Sequence, residues 1–578
     1  MDLGFQKGSK SPMGSLQAER GGCTSSELMN NLPRLQTKAS RREDVVISVA
    51  GGSCDEDSQA VAAAAANAVE PEEEQPLTPL GRIFLEPELE LFGLCTIGFQ
   101  NLVDLAQLKQ TLRNTLLQNK YFSSIVRKNK RGCPTWVHTE VDMDVIVFEP
   151  TGISKADMAA PDFVNNYVAE LATAPPIPYT RPLWECHVLN GTTSGNAPAH
   201  IVLRIHHCLG DGIAFMSLLF ASTRLTANPE KPPPIGCRSR TLPPPPQEQQ
   251  QLTLRPSVLQ SIWKMLIFLW NTVCAMSYLI ATLLFLQDSN TVLRGCSRRV
   301  QREQKRLVCV TVDMDDIRIV KKAVGGTIND VLLGMVDASL KRYLQTHSNP
   351  AVGEGKELEA QGDIKNMHKV SIDDETAGNG VVYQTKKCSS KVEKLRVRAI
   401  AMENVRKSGG LQELPAMMAK GSKVRWGNCI GFWIFPFSLK QFSDPLEHVR
   451  AAMKVSERIK ASLGGRFTFW VGTVLAYFGV PTLSKLLLWR EITQTTLLVS
   501  NLPGPAEQIM LGGNPILHMF PVVAGIPQSF CVYMQSYCGK ITLVVMSAKH
   551  VIPDPEIIIQ FCFDALHEMK KAAVSLTR

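Results

Sequence analysis

Arg204-Ile205-His206-His207-Cys208-Leu209-Gly210-Asp211-Gly212 decides how this chain is read. The stretch joins apolar residues 201–206 to a second apolar run at 213–220, which predicts a strand turning directly into a helix. Side chains alternate across a strand, so His206 and His207 are expected on opposite faces, with only one facing a given cleft. Gly210 and Gly212 allow a tight turn, with positive φ open to both. Asp211, near the helix start, is suited to cap the helix or to hold an arginine rather than to touch substrate. A single histidine in an apolar strand is more often a hydrogen-bonded core residue. Two adjacent histidines followed by x-x-x-Asp-Gly at a strand end point instead to a functional site. A serine or cysteine nucleophile is not supported. There is no Gly-x-Ser-x-Gly elbow, and nothing in the sequence beside Cys208 argues for a low-pKa thiolate.

Upstream, residues 184–189 read as a strand, followed by a turn at 190–198 rich in Gly, Asn, Ser and Thr. Residues 94–99 read as another strand, and Leu105, Leu108, Leu112 and Leu116 recur at helical spacing. Order is expected from about Pro76. Residues 1–75 read as a disordered tail, with a transit peptide as the alternative because residues 7–42 are basic, Ser-rich and poor in acids. Downstream, the Pro- and Gln-rich composition of 228–257 predicts an extended spacer between a first half, 76–227, and a second, 288–578. The second half resumes with a strand at 307–312 and a helix at 328–344, then a long polar loop at 348–380 and alternating elements to the end. Both halves are mixed α/β.

Within 258–287, residues 265–287 are almost wholly apolar. At ~1.5 Å per residue they are long enough to cross a bilayer of ~30 Å. If both halves build one site, however, a single crossing between them would put them on opposite sides of the membrane. A second apolar stretch, 467–484, holds Gly479 and Pro481 and suits a bent or interfacial segment. The expectation is monotopic attachment, with both stretches facing lipid or forming a substrate entrance. Lys and Arg exceed Asp and Glu by nine over 578 residues. The excess forms no basic stripe with interleaved aromatics, which argues against a nucleic-acid partner. The fifteen cysteines include no Cys-x-x-Cys pair, so they read as reduced thiols with neither a disulfide framework nor a metal site. No apolar run follows Met1, and no ordinary secretory signal is expected.

His206-His207-x-x-x-Asp211-Gly212 resembles the signature of the bifunctional wax ester synthase/diacylglycerol acyltransferase family, a motif shared with chloramphenicol acetyltransferases and peptide-condensation domains. Other stretches choose among these. Pro182-Leu183-Trp184-Glu185 resembles the family's Pro-Leu-Trp motif and Thr327-Ile328-Asn329-Asp330-Val331 its Asn-Asp motif. Ser500-Asn501-Leu502-Pro503-Gly504-Pro505 resembles its C-terminal signature, and residues 423–437 are closest to plant and algal members. The resemblance runs in the family's order over about residues 77–575. Tyr179-Thr180 stands where the family often has an acid, and Met402-Glu403-Asn404-Val405-Arg406 where plant members carry a more apolar Asn-Thr-Arg motif. Both departures bear on substrate preference rather than on reaction type.

The resemblance implies two chloramphenicol-acetyltransferase-like α/β subdomains facing each other across an active-site channel. It implies acyl-CoA as co-substrate, no other cofactor, and a long-chain fatty alcohol or diacylglycerol as acceptor. His207 would be the general base, His206, Asp211 and Gly212 would set the geometry, and Asn329 would donate to the oxyanion. Leu183, Trp184, Asp330, Asn501, Pro503 and Gly504 would line the substrate path. The implied location is an endoplasmic reticulum or lipid-droplet surface with the site facing the cytosol, or a plastid. Alternative readings are a terpenoid or sterol acceptor, and a silent membrane lipid-binding protein, against which the intact motif argues.

Overall fold

The computed structural model describes residues 75–233, 258–295, 298–347, 389–406, 426–478 and 481–577. The expected tail, most of the Pro/Gln spacer and the 348–380 loop lie outside them. Among the described residues, the strand Ala199–His206 is buried at all eight positions, because it lies inside a seven-stranded sheet. It pairs antiparallel with Trp184–Asn190 on one side and with Phe92–Phe99 on the other. A strand covered on both faces reads as a continuous apolar run, and here the polar exceptions are bonded. Arg204, for example, gives Nη1 to Glu185 at 2.9 Å and Nη2 to the carbonyls of Ala174 and Pro175.

Beyond Phe92–Phe99 the sheet is completed from far along the chain. Asn514–Ala524 pairs antiparallel with Phe92–Phe99, and Ile509–Leu511 links it to Thr223–Leu225. This corrects the division expected from sequence: residues 288–578 do not form a self-contained half, because they supply a hairpin to the first sheet.

The second sheet runs, in space, Ile430–Pro436, Arg398–Asn404, Leu497–Leu502, Phe530–Tyr537, Lys540–Ala548, Lys305–Asp313. Its side chains alternate between two cores, as the two-residue period of a strand requires. Leu497 and Val499 join one with the helices Met314–Val324, Ile328–His347, Leu446–Lys460 and Pro555–Thr577, whereas Leu498, Ile400 and Tyr533 join the core of the first sheet. The chain therefore has two mixed α/β subdomains, each built on a sheet.

The apolar segment forms one helix, Val258–Leu284, starting where expected and ending three residues sooner. At ~1.5 Å per residue it is about 40 Å long. Its flank is open: Trp263 is 65% exposed and Trp270 69%. The expected bent stretch is two helices, Gly464–Tyr477 and Pro481–Thr493, which pack against the long one and add exposed Trp470, Tyr477 and Phe478. Just past the long helix, buried Asp288 pairs with Arg398 of the second sheet, and Arg398 Nη1 donates back to Thr282 at 2.6 Å. That buried pair fixes the helix to the sheet.

Candidate active site

The strand ends at His206, and residues His207–Leu209 make one tight 3-10 turn before the helix Gly212–Ala221 begins. The two histidines accordingly meet different surroundings. His206 packs edge-on against Phe92, and its Nδ1 accepts from the backbone N–H of Cys208 at 3.1 Å. The ring proton must then sit on Nε2, 3.7 Å from Glu90 Oε1, and Tyr179 donates its hydroxyl to the same oxygen at 3.2 Å. His206 thus shapes the turn.

His207 is pinned at both ends of its peptide unit. Its N–H donates to the Leu91 carbonyl at 2.8 Å, and its own carbonyl accepts from Asn428 Nδ2 at 2.8 Å. The ring lies between Phe84 and Phe215, with centroids 5.1 and 5.9 Å away. It is 4% exposed, and Nδ1 is sealed without a hydrogen-bond partner. Burial lowers its pKa, opposed by the Asp211 charge, the Asn428 carboxamide and its own backbone carbonyl. The imidazole is therefore neutral near pH 7, the form that accepts a proton. Burial also drives the Cys208 thiol well above its usual range, so it is no nucleophile at neutral pH.

Asp211 does both things expected of it. Oδ1 caps the helix by accepting from Ala214 N at 2.9 Å, and Oδ2 meets Arg406 Nη1 at 2.9 Å and Cys429 N at 2.8 Å. Both side chains of the Asp211–Arg406 pair are almost fully buried. The glycines need correcting. Gly210 has φ 169°, ordinary extended backbone, and Gly212 does not adopt positive φ either. What they provide is space: a Cβ on Gly210 would meet Phe215 at 3.2 Å, and one on Gly212 would meet Leu502 at 3.2 Å. Gly212 is where the His-His motif touches the second half's C-terminal signature.

The remaining candidates divide. Asn501 donates Nδ2 to Asn329 Oδ1, so these two motif residues do come together. Asn329 is exposed rather than buried, and the start of its helix is held instead by Asp330, whose Oδ2 accepts from Thr327 N and Oγ1 at 2.8 and 2.7 Å. Pro503 is exposed, and Gly504 N donates to Ser536 Oγ at 3.0 Å. Leu183 and Trp184 are fully buried, and Trp184 Nε1 donates to the Phe122 carbonyl at 2.9 Å, so both are core supporting the motif strand. Glu185 of the same motif carries the ion pair with Arg204.

Sequence reasoning missed Glu90, Phe84, Phe215 and Asn428 and left Arg406 without a partner. Residues 423–437 had drawn attention as a motif, and Trp426, Asn428 and Cys429 within it prove to be the second half's grip on the turn, Trp426 Nε1 donating to the Leu209 carbonyl at 2.8 Å.

Residues 107–332 match the wax ester synthase/diacylglycerol acyltransferase catalytic domain, and residues 426–570 match the WS/DGAT C-terminal domain. Wax ester synthase/diacylglycerol acyltransferase 6 of Arabidopsis thaliana is 34% identical over 519 residues, 87% of this chain and 94% of that protein. The chain belongs to this family. Wax ester synthase/diacylglycerol acyltransferase 5 of the same plant is also 34% identical, over 86% of this chain and 94% of its own. The structure of a wax ester synthase/diacylglycerol acyltransferase from Marinobacter aquaeolei VT8 covers 86% of this chain and 99% of its own, at TM-score 0.50 and 17% identity. That likeness extends to the fold. The chain is accordingly an acyltransferase of the wax ester synthase/diacylglycerol acyltransferase family, with the two-subdomain architecture of its fold.

Proposed function

We propose that the chain transfers a fatty acyl group from acyl-CoA to a long-chain fatty alcohol, to diacylglycerol, or to both, with His207 as general base. The observation carrying this reading is the setting of the His207 ring: clamped through its peptide unit and buried at Nδ1, so that Nε2 is the nitrogen left to take a proton, with burial favouring the neutral form. An alcohol's pKa lies near that of water, about 15.7, against roughly 6.5 for histidine. Complete prior transfer across ~9 units would cost ~12 kcal/mol at ~1.36 per unit. A turnover near 10 per second allows a total barrier of only ~16 kcal/mol. Proton removal is therefore concerted with attack of the hydroxyl oxygen on the thioester carbonyl. The oxygen–acyl bond forms first, giving a tetrahedral oxyanion whose collapse breaks the carbon–sulfur bond, and the proton held by His207 passes to sulfur so that CoA leaves as the thiol. No acyl-enzyme is required.

The exposed apolar helices support attachment to a membrane or lipid-droplet surface, with the endoplasmic reticulum facing the cytosol as the reading and a plastid as the alternative. Strand pairing argues against a lone crossing, since Phe92–Phe99 precedes the long helix and its partner Asn514–Ala524 follows it. Both lie on one side of any bilayer.

The test is a product assay with labelled palmitoyl-CoA, offering a long-chain alcohol or diacylglycerol to wild type and to His207→Ala. Wax ester or triacylglycerol from wild type, lowered about 10²–10⁴-fold in kcat by the substitution, is the expected result. An alanine variant that keeps most of its activity would remove His207 as the base.

A further inference from the structure

The strand Ile430–Pro436 leads away from the catalytic turn. Just before its start, Asn428 and Cys429 hold His207 and Asp211. It is the edge strand of the second sheet, and its free edge meets a helix rather than another strand: Thr468 Oγ1 accepts from Phe432 N at 2.8 Å and donates to the Phe432 carbonyl at 3.1 Å. There a cavity of about 320 Å³ opens between this edge and the long apolar helix. Phe432 and Ile434 line the strand side, Leu279 the helix side, and Ile459 a third wall, with Asn271 and Arg458 as polar contributors. His207 is not among the walls.

The chemistry of these walls selects the occupant. They suit hydrocarbon. With one cationic side chain they do not suit the several phosphates of CoA. The helix that closes the cavity turns exposed Trp270 and Val273 outward, so a chain entering here comes from the lipid that covers that face. From Cys429 to Ile434 is five residues, ~17 Å of extended strand at ~3.3 Å per residue, so the cavity lies within the length of a long alkyl chain from the catalytic turn, with Gly431 packed on the Gly465 carbonyl between them. Resting on the activity proposed above, we propose that this cavity seats the hydrocarbon chain of the lipid alcohol acceptor, taken laterally from the membrane, with the hydroxyl end directed towards His207. It would then discriminate acceptors by chain.

The experiment uses the full-length protein on phosphatidylcholine vesicles and a photoactivatable long-chain alcohol. Saturable labelling of residues 432–436 and 455–459, displaced by unlabelled alcohol but not by acyl-CoA, is expected. Labelling of these residues by photoactivatable phosphatidylcholine that excess alcohol does not displace would overturn the proposal and make the cavity a seat for a structural lipid. Ala275→Trp and Val455→Phe, each checked for unchanged melting and vesicle binding, narrow the cavity from opposite sides. Each is expected to raise the KM for alcohol about tenfold, the equivalent of roughly two lost methylene contacts, with the KM for acyl-CoA unchanged. No change in either KM, or equal changes in both, would also overturn it. Labelling reads binding without turnover, so the two proposals fail separately. Label in the cavity without any ester product would sink the proposed reaction alone, and ester product with label elsewhere would sink the cavity alone.

Discussion

Both carboxylate oxygens of Asp211 are committed, one to its own helix and one to Arg406 and Cys429 from the other half. An asparagine in its place keeps a single acceptor and turns an NH₂ towards two donors. Asp211→Asn is therefore expected to destabilise the fold by about 3–5 kcal/mol, the usual cost of leaving one member of a buried ion pair alone. Denaturant unfolding measures it, and a loss below 1 kcal/mol would show that Arg406 finds another partner. Asn428 acts through the peptide of His207 and is a positioning residue. Asn428→Ala is expected to lower kcat about fivefold, the worth of one ~1 kcal/mol hydrogen bond, while leaving the KM for both substrates in place. Equal effects on kcat and KM would argue for a general loosening instead. The role of Asp211 was legible in the sequence because capping is a local rule. Its partner was not, because nothing local ties Arg406 to a residue nearly two hundred positions earlier.

Elements announced themselves where their periodicity was clean. The motif strand, the motif helix and the helix Ile328–His347 lie within a few residues of where composition put them. Leu116 was the exception: the helix Leu105–Asn114 stops before it, and Leu116 opens a short 3-10 turn whose inward side imitates helical spacing. Strand partners were not legible, since an alternating pattern records which face is buried and not what lies alongside. The joint between Asn514–Ala524 and the first sheet carries its own titratable latch. His518 Nε2 sits 3.2 Å from His200 Nε2, His200 Nδ1 bonds Thr192 at 2.7 Å, and the His518 ring fills the space over Gly98, where a Cβ would meet it at 2.4 Å. Burial depresses both pKa values, and for His200 the facing His518 adds to it. Both rings are neutral in the fold yet take protons in the unfolded chain below about 6.5. Stability from this pair is thus fully present above that pH and is lost as pH falls further. Unfolding midpoints measured from pH 7 to pH 4.5 should fall more steeply for wild type than for His518→Gln, and parallel curves would count against the latch.

At the scale of the whole molecule, the exposed tryptophans of the described residues gather on two of three helices packed side by side. Replacing Trp263 and Trp270 together by glutamate removes two large side chains, each worth roughly 1.5–3 kcal/mol when buried in lipid. Flotation with vesicles should drop more than tenfold, while fluorescence melting of the two-sheet body stays as it was. Unchanged flotation would shift the membrane contact to Trp470 and the helices beside it. The sequence showed that such a face exists. It did not show that the second stretch is two helices packed beside the first, because side-by-side packing leaves no periodic mark.

The hairpin lent to the first sheet also orders events at the ribosome. Asn101 and Asn514, which bond across the joint, are 413 residues apart. Until Asn514–Ala524 has been made, Phe92–Phe99 is an uncovered edge, open to any passing strand. The first sheet cannot be finished until much of the second has been made, and contacts so distant in sequence close slowly. A nascent chain arrested before residue 509 should sit on chaperones or aggregate, and the first sheet becomes whole only once the hairpin has followed more than four hundred residues behind its partner.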